Sequence, residues 1–161
     1  MPAKALAISG FKNSGKTTLI ERLIPLLQAD GIITAVIKHE GHSFVPDAPG
    51  TDSCRFFAAG ACASIVFDSE KYQLSRRTPV CVADLIAMLP ETDLVLMEGF
   101  KNTDFPKIEL VRRAISTRPV CDPDTCIAYV SDLQLDVDKP VFHPDDVEGI
   151  KACIEAFMQL G

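Results

Sequence analysis

Short apolar runs alternate with longer amphipathic stretches along most of the chain. The short runs have the length of strands, and the longer stretches repeat apolar residues at the spacing of one helix face. Such alternation is typical of parallel strands joined by crossover helices. The pattern therefore predicts an α/β protein with three layers, α/β/α, built on a mostly parallel twisted sheet.

The predicted strands are apolar and short. The first is continuous rather than alternating, as expected of a strand that is covered on both faces. The main runs cover residues 5–9, 34–38, 63–67, 93–97 and 127–130. Residues 72–76 are expected to add an edge hairpin, and the alternation in residues 107–112 favours an exposed or antiparallel strand.

The predicted helices follow a different spacing. They cover residues 17–30, 52–59, 80–89 and 145–160. Gly31 and Gly60 are natural stops, and Pro25 predicts a kink or a tightened turn in the first helix. Residues 39–51 are rich in Gly and Pro and predict a long surface loop, whereas residues 115–125 are expected to be loosely ordered.

Composition and charge narrow the class of protein. The chain has 161 residues, of which 47% are hydrophobic, so we expect residues 1–161 to form one domain with its own core. The net charge of -6 and the scattered basic residues argue against nucleic-acid binding. Since no apolar run has the length of a signal peptide or a membrane span, we expect a cytoplasmic protein without a membrane partner.

The six cysteines lie far apart, without a Cys-x-x-Cys pair or zinc-finger spacing. We interpret most of them as small buried hydrophobic residues. Cys121 and Cys126 bracket a short loop, and we interpret their closeness along the chain as accidental rather than as a disulfide or a metal clip.

The strongest chemical signal follows the first strand. Residues 10–17 read Gly-Phe-Lys-Asn-Ser-Gly-Lys-Thr, which is the Walker A spacing of a phosphate-binding loop (P-loop) between a strand and a helix. Gly10 and Gly15 let the backbone curl so that the amides of the loop, including those of Asn13 and Ser14, point inward. The positive end of the helix dipole adds to the same cavity, which therefore suits phosphate.

Three side chains after the loop have predicted roles in holding a nucleoside triphosphate. Lys16 would reach the β and γ phosphates, and it is the first candidate catalytic residue. Thr17 would ligate Mg²⁺, and Thr18 would lie over the α phosphate. These residues predict a purine nucleotide and Mg²⁺ as ligands.

Two acidic residues are candidates for the metal and for catalysis. Glu98 ends an apolar strand and is followed by Gly99, as in a Walker B motif, so it would hold Mg²⁺ or its water. Asp52 follows the long loop, where it would be either a second acidic group near the metal or attacking water, or a plain helix N-cap. Asp93, at the far end of the Glu98 strand, is expected to be a solvated cap.

Weaker signals come from other strand ends and loops. Asp132 follows a strand and could accept hydrogen bonds from the N1 and amino groups of guanine, or it could cap the next loop. His39 and His42 have a spacing compatible with a metal, with a phosphate or partner contact, or with a solvated loop. Lys101 and Lys107 are candidates for contact with an anionic substrate.

Taken together, these residues resemble the MobB family of molybdopterin-guanine dinucleotide biosynthesis adapter proteins. The matching segments are residues 10–18, Val36-Ile-Lys38-His39, Asp47, Gly50, Asp52-Ser53, Ala58-Ala-Gly60-Ala61 and Leu96-Met-Glu98-Gly99-Phe100-Lys101. The chain departs from the family at Gly41, where a second histidine is common, and it carries the resemblance poorly from Ile115 onward.

The resemblance implies a GTP-binding protein with slow intrinsic hydrolysis. It would act in the attachment of GMP to molybdopterin, as a homodimer that assists the nucleotidyltransferase MobA, which performs the coupling. By the same resemblance residues 10–18 would bind GTP, and Thr17 with Glu98 or Asp52 would lie at the Mg²⁺.

Two other functions remain open from the residues. A small-molecule P-loop kinase would need an arginine-bearing lid, for which Arg76-Arg77 and Arg112-Arg113 are the available doublets. A metallochaperone-type GTPase would hand over a metal, and the lack of a His-rich or Cys-rich tract argues against it.

Overall fold

The computed structural model of the chain describes residues 3–41 and 50–160. They divide into unit 1, made of Met1–His39 and Leu85–Gly161, and unit 2, Glu40–Asp84. In chain order the elements are β1 (Lys4–Gly10), α1 (Lys16–Ala29), β2 (Thr34–Lys38), α2 (Asp52–Ala58), β3 (Ala63–Phe67), β4 (Tyr72–Arg76), α3 (Val82–Ala87), β5 (Leu94–Glu98), β6 (Lys107–Val111), β7 (Cys126–Ser131), β8 (Val141–Phe142) and α4 (Val147–Gln159).

Unit 1 is built on a six-stranded sheet in the order β2-β5-β1-β6-β7-β8, and every neighbouring pair is parallel. The predicted α/β class with a mostly parallel sheet is therefore confirmed. β1 is central, with Lys4 opposite Leu94 of β5 and Gly10 opposite Leu110 of β6. Because parallel strands end at one edge of the sheet, this order places the ends of β5 and β6 on either side of the end of β1.

One face of the sheet is covered by α1 and α4. Leu6 and Ile8 of β1 are fully buried there with Leu23 of α1 and Ile150 of α4. The helical spacing of apolar residues in α1 directs one stripe to this core. The helix continues through the exposed Pro25, where the sequence predicts a kink or a tightened turn. Burial of the opposite stripe stabilises the helix despite the missing amide of this proline.

The other face of β6 and β7 is covered by loops and a 3-10 turn, Pro123–Thr125. Val111, Cys121, Cys126 and Tyr129 form a second buried cluster there, against which Leu133 and neighbouring apolar residues pack. The expectation for residues 107–112 is wrong, because β6 is parallel and buried along its whole length. Its polar residues alternate since they point to this second face, where each finds a partner.

Two buried charged residues of β6 account for that misleading pattern. Lys107, which is fully buried, donates to the carbonyl of Thr103 and therefore does not face solvent as a substrate contact would. Glu109 accepts hydrogen bonds from the amides of Val120 at 2.6 Å and Cys121 at 3.2 Å. The segment 115–125, expected to be loose, is thus fastened to the sheet by a buried carboxylate.

We expect Glu109→Leu to lower the free energy of unfolding by about 2–4 kcal/mol, because it leaves these two amides without their acceptor. Glu109→Gln keeps a carbonyl oxygen at the same place and should cost less. Urea unfolding of both variants measures the difference. Equal losses for the leucine and glutamine variants would contradict a role for this carboxylate as a loop acceptor.

Unit 2 contains α2 and a hairpin. β3 and β4 pair antiparallel, with Ile65 opposite Leu74, in a two-stranded sheet of their own. The predicted hairpin is confirmed, but β3 is not a strand of the main sheet as its apolar run suggested. The N-cap of α2 is Thr51, so the reading of Asp52 as the cap is wrong.

Other differences concern the ends of elements. The sequence predicts residues 127–130 as the last strand, and the structure adds β8, which is too short to show a periodic pattern. α3 and α4 are shorter than predicted, and α4 is capped by Asp146, whose carboxylate accepts from the amide of Gly149 at 3.0 Å. Element ends depend on such local bonds rather than on hydrophobic spacing.

The cysteines only partly follow the prediction. All six are free thiols, but Cys62 and Cys81 are exposed and only Cys121 and Cys126 are buried. A hydrogen bond between those two thiols raises the pKa of Cys121 and lowers that of Cys126. Cys121 and Cys126 are thus neighbours in space as well as along the chain.

Candidate nucleotide-binding site

The loop between β1 and α1 has the backbone of a phosphate cradle. Gly10, Asn13 and Gly15 all adopt positive φ angles, of 133°, 64° and 94°. The amide of Leu19 donates to the carbonyl of Gly15 at 2.9 Å, the first bond of the helix. Earlier amides at a helix start have no acceptor within the helix, so they are available to an anion.

Two details of this loop test whether it fits a phosphate group. A Cβ atom built on Gly10 would lie 2.5 Å from the carbonyl oxygen of Leu110, so only glycine allows the loop to pass β6 this closely. The hydroxyl of Ser14 is buried and has no hydrogen-bond partner among the described residues. A buried polar group without a partner is costly unless a ligand satisfies it, which fits a bound phosphate.

Lys16 is folded back across the loop. Its ammonium group donates to the carbonyl of Phe11 at 2.7 Å and, more weakly, to that of Gly10 at 3.4 Å. Burial lowers the pKa of Lys16, and the nearby carboxylate of Glu98 acts in the opposite direction. The contact of Lys16 with the β and γ phosphates stays a prediction.

Glu98 and Thr17 meet at the end of β5. The Thr17 hydroxyl donates to Glu98 Oε2 at 2.9 Å, and Lys38 Nζ lies 3.5 Å from Glu98 Oε1. Glu98 is only 9% exposed. A threonine hydroxyl next to a carboxylate, beside a phosphate cradle, is the oxygen-rich set that Mg²⁺ uses together with nucleotide phosphates.

The chain after Glu98 turns sharply. Gly99 has a φ angle of 105° and Phe100 one of 53°, and the Ser9 hydroxyl donates to the Gly99 carbonyl. The His39 ring lies 5.6 Å from the Phe100 ring, centroid to centroid. His39 therefore lies against the turn that carries Glu98. Its proposed companion, His42, falls outside the described residues.

Arg112, which the sequence suggested only as part of a possible kinase lid, lies beside the P-loop. It follows β6, and its Nη1 lies 3.7 Å from the position of a Cβ atom built on Gly15. Its Nε donates to Asp132 Oδ2 at 3.2 Å, and the Arg113 amide donates to Asp132 Oδ1 at 2.7 Å. These bonds hold the pKa of Asp132 below its ordinary value, the Arg113 amide having the largest effect. The available signal was that residues following β6 and β1 share one edge of the sheet.

The remaining candidates have contacts of their own. Asp52 is the first residue of α2 in unit 2, where its carboxylate pairs with Arg55 at 3.4 Å. Thr18 is exposed at the start of α1. Lys101 Nζ lies 5.8 Å from the centre of the Phe11 ring. Within residues 3–41 and 50–160, no three His, Cys, Asp or Glu side chains are arranged to hold a metal ion.

None of the helices in the described part of the chain combines the length and the apolar character needed to cross a bilayer.

Comparison with known proteins gives consistent matches. Residues 5–132 match the family model MobB, described as molybdopterin guanine dinucleotide synthesis protein B. The molybdopterin-guanine dinucleotide biosynthesis adapter protein of Escherichia coli (strain K12) is 37% identical, over 96% of this chain and 93% of that protein. The crystal structure of Bacillus subtilis MobB is 30% identical, with a TM-score of 0.76 over 94% of this chain and 96% of that one.

A more distant structural likeness concerns the fold alone. The LAO/AO transport system kinase is 16% identical, with a TM-score of 0.52 over 98% of this chain and 59% of that protein. At this identity the likeness shows a shared fold and gives no support to a kinase reaction.

Proposed function

The chain belongs to the MobB family, and from this premise we propose that it is a GTP-binding adapter in molybdenum cofactor biosynthesis, which assists the conversion of molybdopterin to its guanine dinucleotide form. The adapter role follows from family membership. The observation that supports nucleotide binding is the P-loop itself, in which three residues adopt positive φ angles, the buried Ser14 hydroxyl has no partner among the described residues, and the Lys16 ammonium group donates to the Phe11 carbonyl.

GTP and Mg²⁺ are the proposed ligands. The residues proposed to bind the phosphates are Gly10, Asn13, Ser14, Gly15, Lys16, Thr17 and Thr18. Thr17 and Glu98 would hold the metal, for which their 2.9 Å contact is well suited. Asp52 is proposed as a second acidic group that serves the metal or the attacking water.

A nucleotide panel tests this proposal. We expect isothermal calorimetry to show GTP binding with Mg²⁺ and much weaker ATP binding. ATP-dependent phosphorylation of a small acceptor would instead favour the kinase reading. Absence of binding to any nucleoside triphosphate would overturn the proposal as a whole.

Glu98→Gln should lower the GTP affinity measured with Mg²⁺ by about tenfold, because the variant loses a charged contact to the metal. Such a contact contributes about 1.5–3 kcal/mol. Affinity in the presence of a chelator should change little. Glu91→Gln, an exposed acid in the turn before β5, removes the same charge away from the site and is the control. An unchanged response of Glu98→Gln to Mg²⁺ would contradict the assignment.

Hydrolysis by the isolated chain is expected to be slow. Among the described P-loop side chains, Lys16 is the ammonium group that turns back over the loop. The sequence has no arginine finger or catalytic glutamine in a recognisable place, so Lys16, the loop amides and Mg²⁺ would have to stabilise the charge of the γ phosphoryl group without further help. A homodimer, MobA as partner, and the action of residues 1–161 as one domain are further parts of the proposal. Rapid GTP turnover without a partner would contradict the adapter reading.

A further inference from the structure

Arg112 lies at the rim of the phosphate cradle but outside the P-loop sequence. Its guanidinium group, 3.7 Å from a Cβ atom built on Gly15, faces the start of α1. The side chain is 35% exposed, so it lies against the protein without being enclosed by it. An arginine in this position can offer donors to a ligand that lies along the loop.

Asp132 holds the guanidinium group of Arg112 in this position. One carboxylate oxygen accepts from Arg112 Nε and the other from the Arg113 amide. Because the contact uses Nε, the terminal amino groups of Arg112 can point elsewhere. A planar guanidinium fixed along one edge is oriented, and an oriented fork loses less entropy when it binds a phosphate.

The order of the strands gives the direction in which a nucleotide would lie. β5, with Glu98 at its end, is on one side of β1, and β6, followed by Arg112, is on the other. If the metal and the terminal phosphates lie at Thr17 and Glu98, the rest of the nucleotide extends towards β6 and β7. Arg112 therefore faces the part of the ligand where the phosphates join the nucleoside.

We propose that Arg112 binds the nucleotide at the phosphate nearest the nucleoside, and that Asp132 is a positioning residue that holds this arginine rather than a reader of the guanine base. The inference rests on the proposed function, because it assigns a residue to the same nucleotide site. The two roles of Asp132, holding Arg112 or binding the guanine base, predict different effects of Asp132→Asn on nucleotide binding.

The two roles of Asp132 make opposite predictions for base preference. If the Asp132 carboxylate accepts hydrogen bonds from guanine N1 and the guanine amino group, Asp132→Asn should change the base preference from guanine to xanthine. Xanthine carries an oxygen acceptor in place of that amino group, and the asparagine side chain can donate to it. A carboxylate that holds Arg112 would, as Asn, weaken GTP and xanthosine triphosphate alike. We expect Asp132→Asn to lower both affinities by a similar factor, without a change in their ratio.

The test measures binding of both triphosphates, with Mg²⁺, to the full chain and four variants. Arg112→Ala should weaken GTP on the order of tenfold, as expected for the loss of one charged hydrogen bond to phosphate. Asp132→Asn in the Arg112→Ala background should cause no further loss, since the positioned group is already gone. Arg113→Ala, which alters the exposed neighbouring side chain but keeps the Asp132 contact to its amide, is the matched control.

The outcomes separate this inference from the proposed function. Wild-type affinity in Arg112→Ala, or a switch to xanthosine triphosphate in Asp132→Asn, would overturn the inference while leaving GTP binding intact. A wild-type chain that binds neither triphosphate would overturn the proposed function instead. Thermal unfolding of each variant shows that it is folded, and the affinity ratio of the two triphosphates does not depend on the folded fraction.

Discussion

Lys16→Ala should abolish measurable GTP binding. The ammonium group lies over the loop within 2.7 Å of the Phe11 carbonyl, where it would turn to the β and γ phosphates of a bound nucleotide. Two charged contacts of about 1.5–3 kcal/mol each correspond to a loss of roughly a hundredfold or more. Isothermal calorimetry with GTP and Mg²⁺ measures it directly.

The same loop offers the matched control. Lys12 is an exposed lysine of the loop, so Lys12→Ala removes an identical charge and should leave the affinity near that of the wild type. If the lysines act only by long-range electrostatic attraction, both variants should lose the same GTP affinity. If Lys16 contacts the phosphates, only Lys16→Ala should lose affinity. Retained GTP binding by Lys16→Ala would rule out the P-loop assignment.

Gly10→Ala is expected to disrupt the loop and the fold around it. The added methyl group would meet the Leu110 carbonyl oxygen at 2.5 Å, and the φ angle of 133° is strained for any residue with a side chain. Strain of about 1–2 kcal/mol and overpacking of about 1–3 kcal/mol together predict a loss of about 2–5 kcal/mol. Thermal unfolding should then occur roughly 5–15 °C lower, and GTP binding should be lost.

Gly31→Ala separates the two causes. Gly31 also has a positive φ angle, of 79°, but no described atom lies within 4 Å of the position that the added methyl group would take. It should therefore show the backbone strain alone, about 1–2 kcal/mol, with normal GTP binding. If both alanine variants lost equal stability, the close approach of Gly10 to β6 would not be the reason for this glycine.

The sequence predicted the structure correctly where a single short segment contains all the residues that determine it. The P-loop lies between β1 and α1 within a few residues, so its spacing predicts strand, turn and helix together. The sequence could also identify Glu98, because an apolar run that ends in Glu-Gly indicates the end of a buried strand. Its contact with Thr17 followed from the rule that parallel strands end at one edge.

Other features depend on contacts between distant segments. The polar residues of β6 gave the pattern of an exposed strand, and only the fold shows that Glu109 is buried against the amides of Val120 and Cys121. The pairing of Arg112 with Asp132 joins two strand ends that are 20 residues apart. β3 has the composition of a core strand, yet its partner is β4. Hydrophobic spacing does not specify which strands pair.

The central place of β1 affects how the chain can fold as it is synthesised. β1 can pair only after the chain that carries both of its neighbours has been made, since Lys4 pairs with Leu94 and Gly10 with Leu110. Until that stretch has left the ribosome, the nascent segment that carries the P-loop has no sheet to join, and its apolar residues stay accessible to chaperones. The proposed GTP ligand would therefore stabilise the P-loop only after β5 and β6 have been translated.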